Sequence, residues 1–164
     1  MPLITKKESL KYTYAIWKIE ELLQELMKQL NPNKQELIEI ERLTNIKRKK
    51  QNISARLLLN QLSNKKEILS YSKSGKPKCE LFNNISISHS HNYCILIVSE
   101  NEIGVDIQYR NPKIEKISHK FLNNIEINNI NINNAIDQTH FIWCAKESIY
   151  KSINNRPCSF KENL

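Results

Sequence analysis

The chain has 164 residues, a formal charge of +8, and only 2 Gly and 5 Pro, which bounds it to one domain, or two small halves sharing a core, without long flexible linkers. No apolar run reaches the ~18 residues of a bilayer span, and the opening Met1-Pro-Leu-Ile-Thr-Lys-Lys7 lacks a signal-peptide apolar core, so the expectation is a cytoplasmic protein with no membrane partner. Cys79, Cys94, Cys144 and Cys158 show no CxxC spacing and read as reduced thiols.

Of the 25 basic residues 20 are Lys, and 21 residues are Asn. Such a bias reflects coding composition as readily as selection for a partner. If the charge does select one, it carries phosphates or carboxylates: a nucleotide cofactor, an acidic protein or nucleic acid.

The first element is a strand, Tyr12-Thr-Tyr-Ala-Ile-Trp-Lys18, rich in aromatic and β-branched residues. Helical spacing of Leu22, Leu23, Leu26 and Leu30 predicts a helix over 20–30, stopped by Pro32. A second is predicted over 34–43 and a third over 47–62. The third opens on Lys47-Arg-Lys-Lys50, with Arg56 two turns on, and this basic stretch is either a solvated face or an anion site. Short strands are expected over 68–73 and 78–82, around a turn at Ser74-Gly75.

Three strand-like runs follow: Ile85–Ser90, Tyr93–Ser99 and Ile103–Tyr109. The short polar breaks between them favour antiparallel hairpins. The middle run is apolar at every alternation, as in a central strand covered on both faces. In the third, Ile103, Val105, Ile107 and Tyr109 face one way and Gly104, Asp106 and Gln108 the other. Asp106 therefore sits on a strand face beside a glycine that leaves room.

Beyond Pro112 a helix is expected over 114–121. The Asn/Ile tract 123–134 reads as a short helix around Glu126 running into a mobile loop. The last long helix spans 135–153, and the tail from Asn154 holds no complete element. On this last helix Phe141, Ile142, Ala145, Ile149 and Ile153 share one arc, the expected core face. Trp143, Glu147 and Lys151 lie one turn apart on the far side, flanked by Lys146 and Tyr150. As an exposed pair, Glu147–Lys151 contributes only ~0.3–0.5 kcal/mol, and a Trp on a polar arc wants a partner surface.

Ile87-Ser88-His89-Ser90, then Gly104-Val105-Asp106-Ile107, then Trp143-Cys-Ala-Lys146-Glu147-Ser-Ile-Tyr-Lys151 come in this order. Together they resemble the signature of the 4′-phosphopantetheinyl transferases, of the larger single-chain kind built from two similar halves. Gly75-Lys76-Pro77, Phe121 with Glu126, and the helix containing Ala55-Arg56 also fit, so the resemblance runs from about residue 47 to 160. It implies an α+β fold, an antiparallel sheet packed against helices, with pseudo-two-fold halves over about 1–100 and 101–164.

It also implies an activity: transfer of the phosphopantetheine arm of coenzyme A to a serine of an apo acyl or peptidyl carrier protein, with Mg²⁺, releasing 3′,5′-ADP. Nucleic acid is not an implied partner. Such a step is a phosphoryl transfer in which cations hold the charge on the oxygens, and magnesium takes a few carboxylates plus phosphate oxygens and water. By the resemblance, Asp106, Gln108 and Glu147 are metal ligands and Asp106, Glu147 and Lys151 catalytic residues. Glu147 is then the base for the carrier serine, directly or through water, and Lys151 contacts phosphate. Lys76, Ser88, His89, Lys146 and Lys151 hold coenzyme A, and Lys47 and Arg48 meet its nucleotide 3′-phosphate.

Two departures carry consequences. Gln108 stands where the family commonly has a second acid, which implies weaker metal binding. Relatives usually continue for several dozen residues beyond the Trp-Lys-Glu helix, adding strands, whereas this chain stops at Leu164. The expectation is an incomplete second half: its strands are lost or supplied by another chain, or the product is a weakly active homologue that binds coenzyme A or carrier protein.

Other readings fit less. His89, His91 and Cys94, with Cys79, match no zinc spacing. A Ser88 or Ser90, His89 and Asp106 triad lacks nucleophile-elbow glycines, and adjacent strand residues face opposite ways. A basic RNA-binding module would explain the charge but not Trp143, Glu147 and Lys151, and it has no aromatic stacking motif.

Overall fold

The strand that is apolar on both faces lies inside the sheet. In the computed structural model, which describes residues 3–153 and 157–164, β1 (Leu3–Glu8), β2 (Tyr12–Lys18), β5 (Asn84–Ser90) and β6 (Tyr93–Ser99) form one antiparallel sheet. Its order is β1-β2-β6-β5, and β6 is buried from Cys94 to Ser99. β3 (Ser70–Tyr71) and β4 (Pro77–Lys78) pair separately. They flank the turn where Gly75 takes φ +81°, a left-handed conformation that glycine adopts without strain.

Three helices follow: α3 (Ile46–Ser63) packs on β2 and β6, and α1 (Leu23–Leu30) and α2 (Lys34–Glu41) pack on α3. Half of the 18 residues of α3 are buried. Its Leu58, Leu59 and Ile53 pack with Trp17, Leu26 and Leu96 in the main core. Pro32 and the Asn33 cap separate α1 from α2: the Asn33 Oδ1 accepts the Glu36 amide at 2.9 Å, and the Glu36 carboxylate accepts the Asn33 amide at 2.9 Å.

Arg56 ties these layers together. Its guanidinium is fully buried and donates to Asn52 Oδ1 (3.0 Å), Leu69 O (3.0 Å), Glu39 Oε2 (2.6 Å) and Glu36 Oε1 (3.4 Å). The anion site considered for the basic stretch therefore does not include Arg56. Its charge is already met by two carboxylates of α2.

A second core follows Ser99. It holds Ile114, Phe121 and Leu122, against which Ile136, Ile142, Trp143 and Phe160 pack. Ile114 comes from α4 (Ile114–Ile117), Phe121 and Leu122 follow a 3₁₀ turn at Ser118–Lys120, Ile136, Ile142 and Trp143 lie on α6 (Ala135–Ser152) and Phe160 in the tail, with α5 (Asn124–Asn129) and a second 3₁₀ turn at Ile132–Asn134 between. Trp143 meets Phe121 edge-on at 4.8 Å. Among the described residues no strand forms after Ser99 and no helix is long and apolar enough to cross a membrane.

The α+β class and the antiparallel sheet agree with the sequence; several details differ. β1 has no counterpart among the expected strands, because Lys6, Lys7 and Glu8 mask its pattern and its partner β2 supplies the pairing. The expected strands over 68–73 and 78–82 shrink to two-residue bridges. The segment 103–109 is extended but makes no backbone ladder with β6.

The inward face of α6 is also rotated from the expected arc. Phe141 is 75% and Ile149 45% exposed, while Thr139 and Lys146 are buried. Lys146 turns inward because three acceptors wait there: Phe121 O at 2.7 Å, Phe160 O at 2.6 Å and Glu126 Oε2 at 2.8 Å. A buried ammonium with three partners is satisfied, which an apolar wheel does not register. The first tail positions, 154–156, lie outside the described residues.

Removing one partner of a buried ion pair strands the other charge, at a cost of about 3–5 kcal/mol. Arg56→Ala should lower the urea unfolding free energy by up to that order, since buried Glu36 would keep only Lys66, at 3.6 Å, as a cationic partner.

Candidate active site between the sheet and the last helix

The serines of β5 alternate with apolar residues, so Ser86, Ser88 and Ser90 share one face. Each accepts one amide from the segment 103–109. Val105 N donates to Ser86 Oγ (3.1 Å), Ile107 N to Ser88 Oγ (3.3 Å) and Tyr109 N to Ser90 Oγ (2.9 Å). The offset stays at 19 residues, so the segment runs parallel to β5. Hydroxyls take the part that carbonyls play in a sheet, which is why no ladder forms.

On its other side the segment meets α6. A Cβ on Gly104 would lie 1.9 Å from Ser148 O, 2.9 Å from the Ser148 carbonyl carbon and 2.9 Å from Ser152 N. Only a residue without a side chain allows this approach. The contact brings Asp106 to Lys151.

Asp106 is 3% exposed in its side chain and accepts three hydrogen bonds. Ser88 Oγ donates to Oδ1 at 2.6 Å, Lys151 Nζ to Oδ1 at 2.7 Å and Gln108 Nε2 to Oδ2 at 3.1 Å. Lys151 Nζ also donates to Val105 O at 3.1 Å. The Cys144 thiol faces the same carboxylate; burial first, then the Asp106 charge, pushes it up to about 12, so it stays protonated and unreactive. Burial also raises the Glu147 carboxyl above its ordinary value; the Asp106 charge adds to this, while Lys151 opposes it.

A cleft of about 470 Å³ opens here. Asp106, Gln108, Glu147, Lys151, Ser88, His89 and Arg48 all line it. Lys76 lines an adjoining hollow of about 280 Å³, shared with Glu147 and Lys151. Seven of the ten expected site residues thus line the cleft, and an eighth, Lys76, the hollow beside it.

Lys146 and Lys47 do not. The Lys146 ammonium is enclosed in the second core, with all three protons directed at protein oxygens. Lys47 faces hollows beside His91 and Tyr109, because it precedes Arg48 by about 100° on α3. The Gln108 amide donates to Asp106 through its nitrogen and accepts from Ser90 Oγ at 3.3 Å through its oxygen. It braces Asp106 here.

The sequence also concealed Gln51 and Asn52, which line the cleft with Arg48 and Ala55. Their i, i+3, i+4, i+7 spacing on α3 was the available signal.

The donor set suits one class of ion. Asp106 and Glu147 offer hard oxygens from two elements, and the Asp106 charge disfavours charge on Glu147. A small divalent cation that keeps several waters relieves this repulsion. Among the described residues no three His, Cys, Asp or Glu side chains cluster, so no closed transition-metal cage forms.

Gly104→Ala tests the close approach. Overpacking costs about 1–3 kcal/mol, and here the clash is with helix backbone; denaturant unfolding should report at least that loss.

No curated protein matches the chain. The family model of the 4′-phosphopantetheinyl transferase superfamily matches residues 102–161. The match includes Gly104 and the second wall of the cleft, Asp106, Gln108, Glu147 and Lys151. The segment that carries both carboxylates is therefore similar to the 4′-phosphopantetheinyl transferase superfamily.

Proposed function

We propose that this cleft transfers the 4′-phosphopantetheine arm of coenzyme A to a serine hydroxyl of an apo acyl or peptidyl carrier protein, with Mg²⁺, releasing 3′,5′-ADP. One observation carries the reading. Asp106 beside β5 and Glu147 on α6 line a single cleft together with Lys151.

The serine oxygen attacks the phosphorus that bears the pantetheine arm. A new P–O bond forms and the bond to the ADP oxygen breaks. Asp106 and Glu147 are the residues that would hold Mg²⁺, with Gln108 beside them. When bound, the ion supplies positive charge to the pyrophosphate oxygens.

Glu147 accepts the serine proton, directly or through water. Its raised proton affinity suits a base, since proton transfer is most effective near the working pH. Lys151 offers a cation to the phosphate while Asp106 and Val105 O orient it. Ser88, His89 and Lys76 are the phosphate contacts in this reading. Arg48, in the first turn of α3, meets the nucleotide with the helix dipole behind it.

A weakly active homologue that chiefly binds coenzyme A or carrier protein is the second reading. The way Gln108 and Lys151 already occupy both Asp106 oxygens favours it. Mass spectrometry of an apo carrier protein incubated with the chain, coenzyme A and Mg²⁺ separates the two. One added phosphopantetheine supports transfer. An unchanged carrier, with coenzyme A still bound, leaves the binding homologue. RNA retention without coenzyme A binding would sink both.

Asp106→Ala and Glu147→Gln should each lower transfer by at least ~10²-fold, the usual contribution of acid–base catalysis, with the circular dichroism spectrum retained. Metal binding needs an ionised carboxylate. Because the Glu147 pKa is raised above 4.5, Mg²⁺ affinity should fall, as pH drops, in a range above that of an ordinary glutamate. Lys151→Met removes the charge that opposes the shift and should move the fall to higher pH still. Glu147→Gln should remove this titration, read by calorimetry at stepped pH.

A further inference from the structure

Three serine hydroxyls take three backbone amides one by one, at a constant offset of 19 residues. β5 uses its own backbone on β6, from Asn84 opposite Ser99 to Ser90 opposite Tyr93. β5 is the edge strand, and on its open side the amides of Val105, Ile107 and Tyr109 take the serine hydroxyls as their acceptors. Ser88 touches the Asp106 carboxylate directly as well. Ser86 and Ser90 do not; they act at one remove.

Ser86, 4% exposed, holds Val105 N, and the Val105 carbonyl on the same residue receives Lys151 Nζ. Ser90 holds Tyr109 N and donates to Gln108 Oε1, whose amide nitrogen braces Asp106. The two serines thus bracket the acid from either side. A slip of the segment by two residues would keep the alternation but carry Asp106 ~6–7 Å along β5, out of reach of Lys151.

We infer that Ser86 and Ser90 are positioning residues: through the amides of Val105 and Tyr109 they fix the register that presents Asp106 and Gln108 to the cleft. The inference rests on the transfer site proposed above. It adds residues that lie outside both the lining of the main cleft and the matched segment 102–161.

Two measurements on the full chain test it: amide hydrogen exchange of the metal-free protein by NMR, and Mg²⁺ affinity by calorimetry. Ser86→Ala should speed exchange at Val105, and Ser90→Ala at Tyr109, each by roughly fivefold, the equivalent of one net hydrogen bond. The amides of β6 should keep their wild-type protection. Both variants should lose about tenfold in Mg²⁺ affinity, the scale of outer-shell ligand support. Ser90→Thr, which restores the hydroxyl at a partly exposed position, should recover both. Ser54→Ala removes a buried hydroxyl that has no partner and should change neither.

Wild-type exchange at Val105 and Tyr109 in the Ala variants overturns the inference. So does uniform loss of protection through β5 and β6, which marks a merely structural role. Unchanged Mg²⁺ affinity in both variants overturns it as well. Should Ser86→Ala fail to fold, Ser90→Ala and Ser90→Thr decide. If the wild-type chain binds no Mg²⁺, the transfer reading falls, and exchange at the two amides alone decides whether the serines set the register.

Discussion

Gly104 puts no side chain between its strip of chain and α6, and the rest of the site depends on it. Because nothing projects there, an extended segment lies directly on the backbone of α6 at Ser148 and Ser152. The main core belongs to the sheet and α1–α3, and the second core to α4–α6. The strip from 103 to 109 joins them, with hydroxyls on one side and helix backbone on the other. Two acids contributed by distant elements can share a cleft only while that strip holds its place.

The chemistry of α6 divides by face. Cys144, Glu147 and Lys151 turn toward Asp106, while Trp143 and Lys146 turn into the second core. Two lysines five positions apart therefore serve opposite ends. The Lys146 ammonium is held by three oxygens and fixes the helix against Phe121 and Phe160. The Lys151 ammonium remains on a cleft wall, where it tempers two carboxylates. Anchoring one cation rigidly keeps the other in register, since both ride on the same helix.

Much of this was legible in the residues. β6 declared itself by apolarity on both faces from Tyr93 to Val98, and α3 by apolar residues at helical spacing after the basic turn. The order of the Ser88-His89, Gly104–Asp106 and Glu147–Lys151 motifs identified one wall of the cleft and much of the other. What remained hidden follows from long-range partners. Lys146 reads as a surface residue until Phe121 O, Phe160 O and Glu126 are brought to it. The segment 103–109 alternates like a strand, and it is extended like one. Only tertiary structure reveals that its donors meet hydroxyls. Gln108 likewise looks like a spare ligand until its amide is seen bracing Asp106.

The outward face of α6 bears on how the protein behaves at high concentration. Phe141 and Ile149 stand in solvent, two turns apart on one side of the helix, on a molecule whose formal charge is +8. Mutual repulsion of like-charged copies keeps these oily side chains apart in dilute buffer. Added electrolyte shortens the range of that repulsion to about 8 Å at 0.15 M and leaves the attraction between greasy surfaces intact. Colloidal stability is thus greatest in low-salt buffer, and salting favours clumping through this helix.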